Sequence, residues 1–150
     1  MPSHYVEILL VEDNPNDAEL ALYALKKHHV ANRVHLAKDG AAALDYLFGE
    51  GEYQNRNVED TPRVILLDLK LPKVDGLAVL RRVKEDPRTR QIPVVVLTSS
   101  SEERDVLASY NLGVNSYIVK PIDFEQFSES VRQLGLYWIL LNEAPLPKPD

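Results

Sequence analysis

The chain has 150 residues, 45% apolar and 27% charged, the make-up of one ordinary globular domain with enough apolar side chains for a core. With no cysteine, disulfides, thiol catalysis and cysteine-ligated metals are excluded, and no run of about 18 apolar residues is present to span a membrane. The formal net charge of -6 argues against a nucleic-acid surface, and Met1-Pro2-Ser3-His4-Tyr5 lacks a basic-then-apolar secretory pattern, so a cytoplasmic location is expected.

The run Glu7-Ile8-Leu9-Leu10-Val11 is continuously apolar after its first residue and stops at Glu12-Asp13-Asn14-Pro15, which predicts a strand buried on both faces. Ala18, Ala21, Leu22 and Leu25 then recur at helical spacing. His28-His29 close that helix, where imidazoles suit the dipole, and as neighbours they do not share a face for a common metal. Arg33 to Ala37 alternates like a half-exposed strand, Asp39-Gly40 breaks it, and Leu44, Leu47 and Phe48 mark a second helix. Residues 49 to 62 are polar and contain glycine, so a loop is expected there; Gly49-Glu50-Gly51 has no strand-to-helix setting and is no phosphate-binding motif.

Val64-Ile65-Leu66-Leu67 is a second buried-strand run ending at Asp68, and Leu77, Leu80 and Val83 mark a helix after Leu71-Pro72-Lys73-Val74-Asp75-Gly76. Pro93-Val94-Val95-Val96-Leu97 predicts a third buried strand ending at Thr98. Ser100 and Glu103 have capping-box spacing for the next helix, with Gly113 as its stop. Ser116 to Val119 forms the last strand, ended by Lys120-Pro121, and Asp123 and Gln126 cap a final helix carrying Phe127, Val131 and Leu134. Five strands alternating with five helices predict an α/β three-layer sandwich, a parallel sheet in the flavodoxin-like order 2-1-3-4-5.

In such a sheet the C-terminal strand ends share one edge, where these folds bind ligands. That gathers Glu12, Asp13, Asp68, Thr98 and Lys120. Each has a bland reading alone: a charged turn, a cap, a strand end, a surface lysine. Three carboxylates together repel unless a cation neutralises them, and an oxygen-only ligand set favours Mg²⁺ over zinc or copper. A lysine opposite makes the pocket attractive to a phosphoryl dianion. Asp68, alone at the end of the central strand, is the expected nucleophile, and the Glu12-Asp13 pair suits metal holding.

Val11-Glu12-Asp13-Asn14-Pro15, Leu67-Asp68-Leu69-Lys70-Leu71-Pro72, Asp75-Gly76, Leu97-Thr98-Ser99 and Tyr117-Ile118-Val119-Lys120-Pro121 together resemble the successive motifs of response-regulator receiver domains, over roughly residues 5 to 135. The resemblance implies Asp68 as phospho-acceptor, Asp13 as a direct Mg²⁺ ligand, Glu12 acting through bound water, and the Lys70 backbone carbonyl as a further metal oxygen. It implies that Thr98 and Lys120 bind phosphoryl oxygens, that Ser99 leaves room for an incoming phosphohistidine, that Tyr117 is an aromatic switch, and that the Lys120-Pro121 peptide is cis. Glu12 in place of aspartate is a variant within the family's pattern.

The expected organisation is a receiver domain over residues 1–135 and a helical extension with a Pro-rich tail over 136–150. Leu134, Trp138 and Leu141 continue the core stripe of the last helix, while Leu136, Tyr137, Ile139 and Leu140 fill its other faces. A helix apolar all round needs a cover, either deeper packing on its own domain or a second subunit; the second is favoured, with those four forming a homodimer surface. This extension and the long 49–62 connection resemble small regulators paired with bacterial phytochrome-type kinases. The expected role is therefore a stand-alone response regulator, not an enzyme in its own right, phosphorylated by a sensor histidine kinase and acting through an unidentified downstream protein. Two rivals are a phosphorylation-independent scaffold and a Mg²⁺-dependent aspartyl phosphohydrolase; the latter needs an acid two residues after the nucleophile, where this chain has Lys70.

Overall fold

A computed structural model describes residues 8–27, 33–98, 111–114, 116–119 and 123–133. Five parallel strands, β1 (Ile8–Val11), β2 (Val34–Ala37), β3 (Val64–Asp68), β4 (Val94–Thr98) and β5 (Ser116–Val119), lie in the order β2-β1-β3-β4-β5. The described helices are α1 (Pro15–Lys27), α2 (Gly40–Phe48), α3 (Gly76–Glu85) and α4 (Phe124–Gln133). The helix expected after Ser100 falls outside the described residues, as do His28, His29 and everything after Gln133.

The continuous apolar runs have the origin expected of them, because each central strand is buried on both faces. Leu9 and Val11, Ile65 and Leu67, and Val94 and Val96 pack in one layer with Ala43, Tyr46 and Leu47 of α2 and Val79, Leu80 and Val83 of α3. Their neighbours in sequence, Ile8 and Leu10, Val64 and Leu66, and Val95 and Leu97, form the opposite layer with Ala21 and Leu25 of α1 and Phe127 of α4. A one-residue slip in any central strand would exchange its two layers, so the register is firmly fixed.

Side-chain caps set the helix starts. Asp39 accepts the Ala42 N–H at 2.7 Å, Asp75 the Ala78 N–H at 3.0 Å and Asp123 the Gln126 N–H at 2.8 Å. At the other end of α2, Gly49 takes the left-handed conformation (φ 67°) and closes the helix. Gly113, with φ 85°, has the geometry suited to the helix stop read from the sequence.

The 49–62 segment differs from the plain polar loop expected. It contains a short 3-10 turn, Gly51–Tyr53, and is organised around Arg56. The guanidinium donates to the carbonyls of Tyr46 (2.7 Å), Asn57 (2.8 Å) and Asp60 (3.0 Å) and lies 4.2 Å from the Tyr46 ring centroid. His35 of β2 stacks on Tyr46 at 4.2 Å and shares a 3.1 Å hydrogen bond with the Tyr53 hydroxyl. One arginine with five donors thus supplies partners to carbonyls that lie outside any ladder.

Candidate acidic metal site

The registers of the central strands assemble the site. Val11 pairs with Leu67, so Glu12 emerges beside Asp68; Asp68 pairs with Leu97, and Thr98 with Val119. Glu12 is tied to the sheet by its own N–H, which donates to the Ala37 carbonyl at 3.0 Å. Its carboxylate accepts the Asn14 N–H at 3.1 Å, which turns the chain out of β1 toward α1.

Glu12, Asp13 and Asp68 each present a carboxylate oxygen to one centre, all within 4.8 Å of one another. Glu12 and Asp68 are buried, with 2% and 5% of their surface exposed, whereas Asp13 faces solvent. Two closed acids and one open acid leave access from the solvent side, and an open cleft of about 410 Å³ lies there, lined in part by Asp13, Lys70, Pro72 and Asp75. Three convergent carboxylates offer hard oxygen donors alone, a set that fits a small divalent cation of the Mg²⁺ or Mn²⁺ kind.

The backbone after Asp68 is held at several points. Leu69 N–H donates to the Leu97 carbonyl at 3.3 Å, Lys70 N–H to Asp68 Oδ1 at 3.0 Å, and Gly76 N–H to the Leu69 carbonyl at 2.9 Å. Gly76 is required by close approach, since a Cβ there would overlap the Asp68 carbonyl and the Leu69 Cα. These contacts return the chain at once into α3 and keep Lys70 on the acidic edge.

Of the other residues singled out from the sequence, Thr98 ends β4 at this edge and Tyr117 lies on β5 with 39% of its surface exposed. Ser99, Lys120, Pro121, Leu136, Tyr137, Ile139 and Leu140 lie outside the described residues. The sequence reading missed Asp39, Gly40 and Lys73 beside this site. The close approach of Gly40 to Val74, the 3.5 Å Asp39–Lys73 ion pair and the positive φ of Lys73 (68°) mark them, and none of these has a sequence signature.

The family model of the response regulator receiver domain matches residues 8–132. Among curated proteins, the chain is 43% identical over 140 residues to the probable methanogenesis regulatory protein FilR2 of Methanothrix harundinacea, covering 93% of this chain and 88% of that one. It is 42% identical over 132 residues to the response regulator Rcp1 of Synechocystis, covering 88% of each. Among solved structures, the bacteriophytochrome response regulator AtBRR is 55% identical with a TM-score of 0.82, over 94% of this chain and all (100%) of that one. The Mn²⁺-bound form of Rcp1 is 40% identical with a TM-score of 0.72, over 94% and 98% of the two chains. With that match over the sheet and the acidic edge, the chain belongs to the response regulator receiver domain family, a family of two-component signalling proteins rather than of enzymes.

Proposed function

We propose that the protein is a response regulator that accepts a phosphoryl group on Asp68 from a sensor histidine kinase, with Mg²⁺ held at the acidic edge, and passes the signal on by protein contact. The observation that carries this reading is the convergence of Glu12, Asp13 and Asp68 within 4.8 Å at the C-terminal edge of the central strands. Asp13 and Asp68, with the Lys70 backbone carbonyl, would hold the cation, and Glu12 would act through bound water. When bound, the cation supplies positive charge that offsets the carboxylates and the incoming phosphoryl oxygens.

Asp68 attacks phosphorus, an O–P bond forms, and the P–N bond to the donor imidazole breaks, leaving an acyl phosphate on the chain. In this reading Thr98 and Lys120 take phosphoryl oxygens, a cis Lys120-Pro121 peptide aims the lysine, Ser99 leaves the approach open, and Tyr117 turns the new charge into a change of surface. The Mn²⁺-bound form of the relative Rcp1 supports a divalent cation here. The bacteriophytochrome regulator AtBRR supports a kinase of the phytochrome type as the donor. The proposed organisation keeps the receiver within 1–135 and assigns Leu136, Tyr137, Ile139 and Leu140 to a homodimer contact in a cytoplasmic protein.

The test is phosphorylation with Mg²⁺ and a small acyl-phosphate donor, followed by intact mass. The wild-type chain gains one phosphoryl group and Asp68→Asn gains none; unchanged labelling of Asp68→Asn would overturn the assignment. Steady turnover of a phosphomonoester would favour the phosphohydrolase, and wild-type protein that takes up neither Mg²⁺ nor phosphoryl would favour the scaffold.

A further inference from the structure

The loop between β3 and α3 contains an expensive local conformation. Val74 N–H donates to the Pro72 carbonyl at 2.8 Å across Lys73, whose φ is 68°. An i to i+2 hydrogen bond around a residue with positive φ is a γ-turn of the strained hand, rare for a side chain with a Cβ. Such a conformation persists only where its surroundings impose it.

The start of α2 supplies those surroundings. Gly40, the first residue of α2, is buried directly against Val74, and a Cβ at Gly40 would overlap the Val74 carbonyl. Asp39 uses its two oxygens separately: Oδ1 caps α2 through the Ala42 N–H, and Oδ2 lies 3.5 Å from Lys73 Nζ. The same short segment that starts one helix therefore holds the γ-turn from its backbone side and from its side chain. Three residues before the centre of that turn is Lys70, whose N–H is already fixed on Asp68.

We propose that Asp39, Gly40 and Lys73 are positioning residues for divalent-cation binding: the N-terminus of α2 braces the strained turn and so holds the Lys70 carbonyl at the acidic edge. The proposal rests on the reading in which that carbonyl helps to hold Mg²⁺. None of the three touches the cation. Their effect is to keep a backbone ligand from wandering, as outer contacts of metal ligands commonly do.

The charge pattern makes the idea separable from simple electrostatics. If Asp39 and Lys73 acted on the cation only through their charges, Asp39→Asn would weaken Mg²⁺ binding, Lys73→Gln would strengthen it, and the two effects would add. If they act as a brace, both variants weaken binding, and the double variant is no worse than the weaker single one, because each already breaks the same contact. Asparagine at 39 keeps an oxygen for the Ala42 cap, so α2 keeps its start.

The test is calorimetric titration of the metal-free protein with MgCl₂ at low ionic strength. Each single variant is expected to bind about two- to fivefold more weakly, the range of an exposed ion pair. A folded Gly40→Ala protein should lose about tenfold or more. In phosphoryl uptake from a small acyl-phosphate donor, the half-saturating Mg²⁺ concentration should rise by the same factor while the rate at saturating Mg²⁺ stays at the wild-type value, a split that general loss of structure would not give. Opposite signs for the two single variants, additive effects, unchanged affinity in the single variants or in folded Gly40→Ala, or a lowered saturating rate would each overturn the brace. Wild-type protein that binds no Mg²⁺ would instead overturn the functional reading, and the brace with it.

Discussion

Asp13→Asn should make the metal-free protein more stable and the Mg²⁺-loaded protein less stable than wild type, so that the two stability curves cross as Mg²⁺ is added. Asp13 is the exposed member of a group of three carboxylates within 4.8 Å of one another. At that distance two unit charges repel by about 0.9 kcal/mol in a water-like dielectric and about 3.5 kcal/mol at an effective value of 20. Because Asp13 faces solvent, the lower figure applies, and relief from its two neighbours amounts to about 1 to 2 kcal/mol. In a chain of this length that is a rise in Tm of about 2 to 6 °C without metal. Mg²⁺ at about a hundred times its Kd stabilises the wild type by about 2.7 kcal/mol, a gain the variant largely lacks and one that exceeds its head start. Differential scanning calorimetry of both proteins, in chelator and then along a Mg²⁺ series, measures both limbs. If the variant is no more stable than wild type in chelator, or gains as much from Mg²⁺, the three acids do not act as one metal centre.

Arg56→Ala should cost about 2 to 3 kcal/mol in urea unfolding, since it removes the donor to the part-buried Tyr46 and Asp60 carbonyls, and should speed hydrogen exchange across 49–62 while leaving Mg²⁺ affinity intact. Burial first, and then the Arg56 charge, hold the His35 pKa below its usual value against an opposing pull from Glu52. The neutral ring is thus favoured by folding, so its contribution is full above the unfolded-state pKa of about 6.5 and is lost as pH falls through the folded value; His35→Phe should show a flatter decline in stability as pH falls below about 6.5. Phosphorylation should change hydrogen exchange more in β5, around Tyr117, than in α2, where Gly40 is packed against Val74; equal changes in the two would refute that asymmetry.

The sheet was legible because burial on both faces leaves no room for polar residues. Ile8 to Val11, Val64 to Leu67 and Val94 to Leu97 announce themselves as runs, and parallel topology then places their ends together. The 49–62 segment was illegible for the opposite reason. Its order comes from one arginine reaching scattered carbonyls and from rings on β2, α2 and the 3-10 turn, contacts with no sequence period. Polar composition there signalled a loop correctly but said nothing about its packing.

The acidic edge shows the same division. Glu12, Asp13 and Asp68 could be found because each ends a recognisable strand, and the register does the rest. Asp39-Gly40 was legible only as a break between a strand and a helix, and Lys73 only as a loop residue. What they do depends on an overlap that a missing Cβ avoids and on a backbone angle that a lysine seldom adopts. Together these contacts make the surroundings of Asp68 asymmetric. On the α2 and α3 side the chain is pinned by the close backbone approaches of Gly40 to Val74 and of Gly76 to Asp68 and Leu69, with the Lys73–Asp39 ion pair beside them. On the other side Tyr117 and Val119 of the edge strand β5 are open, with 39% and 40% of their surfaces exposed. On the reading that Asp68 is the phospho-acceptor, the added charge would sit between these close backbone approaches and the exposed face of β5, and packed interiors pass strain toward whatever can move, which is the asymmetry that the hydrogen-exchange comparison of β5 with α2 tests.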